Sequence, residues 1–162
     1  MRLRPTIPLA DWRIAIHIEA TKTVQNQPGT PAYGCECPQC RNWRLAADEI
    51  LPPELMGQLR RLGIDPSRPT DLYATTEEDG YLVYRVMYHV VGRLLSGPNI
   101  WRDYGDDRMK MYRPFRSKPW LSLMVLPYRQ SYTAGPVLQD KKAGEILQID
   151  FRLDVPKILA EF

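Results

Sequence analysis

The sequence predicts an α+β protein dominated by a mostly antiparallel sheet of four to six strands, with a helical pair inserted after the first strand. Three observations predict it. Residues 12–19, 81–95 and 145–155 alternate between apolar and polar side chains, the mark of strands with one buried and one polar face. Apolar residues recur at helical spacing behind Pro38 and again behind Pro53, and proline suits the first position of a helix. Asp79-Gly80 stands just ahead of the longest alternating run, where it suits the tight turn of an antiparallel hairpin.

In chain order, Trp12, Ile14, Ile16 and Ile18 form the apolar face of the first strand, with Arg13, His17 and Glu19 opposite. Pro28-Gly29 and Pro31 make residues 25–34 a loop. The first helix starts at Pro38 and buries Trp43, Ala46, Ala47 and Ile50. The second follows Pro52-Pro53, buries Leu55, Leu59 and Leu62, and stops at Gly63. A short strand near 72–75 pairs with the long one, whose face is Leu82, Tyr84, Val86, Tyr88, Val90 and Leu94; Gly92 marks a bulge there. Residues 96–118 read as an irregular loop. Residues 120–125 are apolar on both faces and read as a covered strand. The last strand turns Leu147, Ile149, Phe151, Leu153 and Val155 one way and Gln148, Asp150, Arg152 and Asp154 the other.

A chain of 162 residues is read as a single domain, 1–162, and that length buries a core without staples. With 44% hydrophobic and 25% charged residues it has ordinary globular composition. No apolar run approaches the ~18 residues of a membrane span. The basic start, Met1 to Pro5, lacks a following apolar signal core, so a cytoplasmic protein with no membrane partner is expected.

The only cysteines, Cys35, Cys37 and Cys40, fall within six residues. In a chain not expected to be secreted, such a cluster points away from a disulfide framework. It suits a soft metal, and zinc above all, which takes four thiolate or imidazole ligands. The fourth ligand would be His17 or His89, the only histidines, or a cysteine from a second copy in a homo-oligomer. Two other readings stand beside it. Cys37-x-x-Cys40 has the spacing of a dithiol switch at a helix start, and three small thiols can simply pack a loop on a helix.

If the strands share one sheet, His17, Glu19, Arg85, His89, Arg93, Asp150 and Arg152 can meet on its polar face. A small hydrolase-like enzyme would use His89 with Asp150 or Glu19 for acid–base work there. An ordinary solvated sheet face has the same composition. Residues 96–118 carry six basic and three acidic side chains, so the formal +3 of the whole chain is the excess of this segment. Arg102, Arg108, Tyr112, Arg113, Phe115 and Arg116 are its candidate binding residues, suited to a protein partner or to nucleic acid. A loop that buries its rings and leaves its arginines wet is the alternative. Phosphate-loop, dinucleotide, zinc-protease and nucleophile-elbow signatures do not occur in the sequence.

The run Gly34-Cys35-Glu36-Cys37-Pro38-Gln39-Cys40-Arg41-Asn42-Trp43, with Leu62-Gly63-Ile64-Asp65-Pro66 and Tyr88-His89-Val90-Val91-Gly92, resembles a family of small bacterial proteins with a Cys-x-Cys-x-x-Cys-x-Asn segment. The likeness runs from about residue 12 to 155 and leaves out residues 96–118. It implies that the cluster is a family trait and implies no catalytic residues. The expected function is a small, non-catalytic binding or interaction protein stabilised at its cysteines.

Overall fold

The computed structural model describes residues 4–160; Met1–Leu3 of the basic start lie outside them. The described chain runs β1 (Thr6–Leu9), β2 (Trp12–Ile16), α1 (Ile18–Gln25), α2 (Pro38–Ile50), α3 (Pro53–Arg61), β3 (Asp71–Glu78), β4 (Tyr81–Ser96), β5 (Trp101–Tyr104), β6 (Asp107–Lys110), β7 (Arg113–Ser117), β8 (Trp120–Pro127) and β9 (Glu145–Pro156). The class is α+β and mostly antiparallel sheet, as the alternation implied.

One seven-stranded sheet has the order β1-β2-β4-β9-β8-β7, and β3 also pairs with β4. The first half of β4 pairs with β3 and its second half with β2, on the same edge. Its other edge pairs with β9 without a break, from Tyr81↔Pro156 to Gly92↔Glu145. Asp79 and Gly80 both take positive φ, 53° and 79°, and close the β3–β4 hairpin as the dipeptide predicted.

The pleat assigns two faces. Tyr84, Tyr88, Phe151 and Leu153 lie on the first, where α2 and α3 bury Trp43, Ala46, Leu55 and Leu59 against them. Trp43 stacks near Tyr84, with ring centroids 6.1 Å apart. The carbonyl of Pro66 accepts from Trp43 Nε1 (3.0 Å) and from the Tyr88 hydroxyl, so the link after α3 is tied under both elements. The second face carries Arg85, His89, Gln148, Asp150 and Arg152, and α1 packs over its end through Val24 and Val91.

Three expectations are corrected. The first alternating strand ends at Ile16, and Ile18 and Glu19 belong to α1. His17 caps that helix, its Nδ1 accepting from Ala20 N at 3.1 Å, a bond that outweighs the strand preference of the β-branched residues that follow. The β2–β4 irregularity lies at Arg13/Ile14, not at Gly92. Gly92 answers a different need: a Cβ there would stand 2.1 Å from the Ala15 carbonyl oxygen, in a backbone with no room to give. Residues 96–118 are not an irregular loop. They form the β5–β6 hairpin and the edge strand β7.

Gly92→Val is expected to destabilise the fold by about 3 kcal/mol or more, because the clash is with backbone rather than a movable side chain. Chemical denaturation checks it, and an unchanged midpoint would contradict the close packing of β2 on β4.

Candidate functional site

The cysteine cluster sits where the 27–37 turn meets α2. Ala32 N donates to Thr70 O (3.0 Å) and Cys35 N to Ala32 O (3.3 Å), which folds the turn back on the helix start. Arg44 clamps it from α2, donating to Cys35 O (3.1 Å) and to Glu36 Oε2 (2.8 Å). Pro38 opens the helix, so Cys37 is its N-cap residue and Cys40 lies one turn in, buried in the main core. The three sulfurs lie within 4.8 Å of one another, and all are free thiols. Three close cysteines of this kind can hold a metal ion.

Burial works against ionising Cys37, yet its pKa lies below the ordinary thiol value. The backbone N–H of Cys40, the neighbouring thiols and the N–H of Gln39 together favour its thiolate. Burial, and then the two neighbouring sulfurs, push Cys40 well above that value. The histidines expected to complete the set are elsewhere. His17 caps α1, and His89 is enclosed on the second sheet face. Among the described residues no imidazole or carboxylate joins the three sulfurs.

The second face is a buried polar chain rather than a solvated surface. Thr70 Oγ1 meets His89 Nδ1. His89 Nε2 lies 3.2 Å from Gln148 Oε1, which also accepts from Thr133 Oγ1 at 2.9 Å. Gln148 Nε2 donates to Asp150 Oδ2 (2.9 Å). Arg85 holds Asp150 bidentately, through Nε to Oδ1 (3.1 Å) and Nη2 to Oδ2 (2.7 Å), and the Tyr112 hydroxyl donates to Oδ1 (2.7 Å). Since the amide of Gln148 donates to the carboxylate, its oxygen must be an acceptor. Imidazole Nε2 therefore carries the proton and Nδ1 is an acceptor, sharing the single Thr70 hydroxyl proton with Met87 O, 3.0 Å from the same Oγ1. Asp150 is 0% exposed and Arg85 24%. The bonds from Asp150 hold the Arg85 guanidinium protonated against its burial, while burial and then the Asp150 charge push the Tyr112 phenol up.

His89 and Asp150 thus share a face, as expected, but Gln148 stands between them. Glu19 lies on α1, on the exposed side. Burial lowers the His89 pKa to about 4, so the ring is neutral and unsuited to exchange protons with solvent.

Of the six candidate binding residues, the structure separates three functions. Arg113 pairs with Asp11 (2.8 Å), Phe115 packs on the core, and Arg116 donates to Pro119 O (2.8 Å) and Ile50 O (3.0 Å). These three fasten β7. Arg102 donates to Asn99 O and Trp101 O, at 3.1 and 3.0 Å. Only Arg108 and Tyr112 line a groove of 640 Å³ between the β5–β6 hairpin and the sheet, with Arg85, Lys110 and Arg152 as its other basic residues.

Gln148, Thr70 and Thr133 were not legible as functional. Gln148 lies two residues from Asp150 on the same strand face, a visible signal, but its place opposite His89 needs the β4–β9 register. Asn42, the Asn of the cysteine motif, is another such residue. Its amide donates to Tyr84 Oη (3.3 Å) and Pro156 O (3.1 Å) and accepts from the backbone of Ile158 (2.8 Å) and Leu159 (3.0 Å), tying the C-terminal segment to α2. No protein-family model, curated protein or solved structure matches the chain. No helix among the described residues is long and apolar enough to cross a membrane.

The pH dependence of stability follows from His89. The unfolded chain takes up a proton near pH 6.5 and the folded one only near 4. Protons therefore favour the unfolded state throughout that window, and folding should lose about 3 kcal/mol as pH falls through it. Denaturation curves across the window check this. His89→Gln should flatten the dependence, and an unchanged slope in that variant would assign it to other groups.

Proposed function

We propose that the chain is a small, non-catalytic binding protein in which one zinc ion on Cys35, Cys37 and Cys40 pins the 27–37 turn to α2. The convergence of the three sulfurs within 4.8 Å carries this reading. A tetrahedral site with Zn–S bonds of about 2.3 Å sets its sulfurs about 3.8 Å apart, so small rotations of these side chains suffice. A cleft of 190 Å³ reaches Cys40 beside Glu36 and Arg44 and offers a way in. The histidines are committed elsewhere, so the fourth position falls to water or to a ligand from a second copy. The resemblance to small bacterial proteins supports the reading only through the cysteines.

The non-catalytic part rests on saturation of the polar face. Asp150 accepts from Arg85, Tyr112 and Gln148, and His89 is held at both nitrogens. A general base needs a free lone pair within reach of substrate, and this pair offers none. The hydrolase-like alternative therefore has little support.

Protein purified without chelator should contain about one zinc per chain by elemental analysis, with its thiols shielded from a thiol reagent. Cys37→Ser should lose the metal and lower the Tm by about 5 °C or more. No metal together with three reactive thiols would overturn the zinc reading and leave a packing role.

A further inference from the structure

We infer that the groove between the β5–β6 hairpin and the sheet binds a nucleotide unit, a phosphate joined to a flat heterocyclic base. This deepens the binding reading above and does not depend on the zinc.

Charge is the first observation. The groove's basic residues are Arg85, Arg108, Lys110 and Arg152, and no acidic residue lines it. Arg85 and Arg152 are direct cross-strand partners on β4 and β9. Like charges placed so are destabilising. Asp150 answers Arg85, but Arg152 is exposed and no ion pair involves it among the described residues. Lys110 makes no ion pair among the described residues and donates to Gln130 O at 3.1 Å. Burial, and then the repulsion of Arg85, lower its pKa. Two cations without counter-charges, facing a groove that opens to solvent, make an anion site.

Rings are the second. The Lys110 ammonium lies 6.0 Å from the Trp101 ring centre and 4.8 Å from that of Tyr132. Arg108 lies 5.0 Å from the Trp101 ring. Tyr132 is 95% exposed, a large ring left uncovered beside a cation. Stacking on such rings is tolerant of base identity and contributes ~1–3 kcal/mol per base. The volume, 640 Å³, is that of a small-molecule site. Thr75 and Thr133 also line the groove; their hydroxyl protons go to Val83 O (3.3 Å) and Gln148 Oε1 (2.9 Å), which leaves their oxygens to accept from a ribose.

The base-plus-phosphate chemistry is shared by a free nucleotide and by a unit of a single strand. Titration calorimetry with adenosine monophosphate, adenosine, inorganic phosphate and an eight-residue oligo-dA separates them. The monophosphate should bind one per chain, with adenosine and phosphate each at least about tenfold weaker, since each lacks one of the two contacts. Arg152→Ala and Lys110→Met should each weaken it about tenfold. Arg102→Ala, which removes a charge outside the groove, should stay within about twofold. An oligonucleotide that binds tighter, with a steep salt dependence, assigns the site to a strand; equal affinity assigns it to the free nucleotide. Lack of binding by both in low salt, or binding indifferent to Arg152→Ala and Lys110→Met, would overturn the inference. Arg152 is exposed, so its variant keeps the test valid if Lys110→Met perturbs the hairpin. Zinc content and chromatographic recovery of the nucleotide, taken on the same sample, keep the two readings apart. Intact zinc without binding removes only the groove. Conversion of the nucleotide removes only the non-catalytic reading.

Discussion

The unbroken antiparallel pairing of β4 with β9 decides most of what this molecule is. Twelve consecutive residues of each strand face each other, Tyr81–Gly92 against Glu145–Pro156. The side-chain period in a strand is two, so this single register assigns every residue of both strands to a face. A one-residue slip of β9 against β4 would carry Phe151 and Leu153 out of the core and put Asp150 under the helices. The apolar face is the only one that α2 and α3 can cover, and burial against them enforces the register.

The other face shows how an amphipathic sheet can bury its polar side too. α1, the β5–β6 hairpin and the segment after β8 cover it unevenly, so His89, Gln148 and Asp150 lose water while Arg85 and Arg152 keep some. A carboxylate without water is costly unless its lone pairs are answered. Here Arg85, Tyr112 and Gln148 answer them. The face is therefore rigid, and at its open edge it leaves cations with no such answer. An answered network beneath and unmet charge above are what the proposed nucleotide groove rests on.

Much of the fold was readable because its strong signals are local. Pro38 and Pro53 start helices where they stand, Gly63 ends one, and Asp79-Gly80 turns the chain. Period-2 alternation named the faces of β4 and β9 correctly. It failed at Ile18, where the fourth apolar residue of a strand pattern is the first residue of α1 and the cap on His17 redirects the chain. It failed again over 101–117, where short strands of mixed polarity carry no clear period. At the cysteines the legible part was the sulfur set itself. The remoteness of both histidines was not, because it depends on how α1 and β4 are placed.

By itself the sequence determined the class, the helical pair, the main hairpin and the crowding of three thiols on one turn. Each depends on neighbours a few residues apart, and their chemistry acts without the rest of the fold. The tertiary structure decided which polar residues meet. His89 reaches Gln148 across 59 positions and Arg85 reaches Asp150 across 65, and only strand order brings such residues together. It also decided that Arg113 and Arg116 fasten β7 while Lys110, Arg108 and Arg152 line a groove. A side chain's charge is written in the sequence, but whether that charge is already answered depends on what the fold sets beside it.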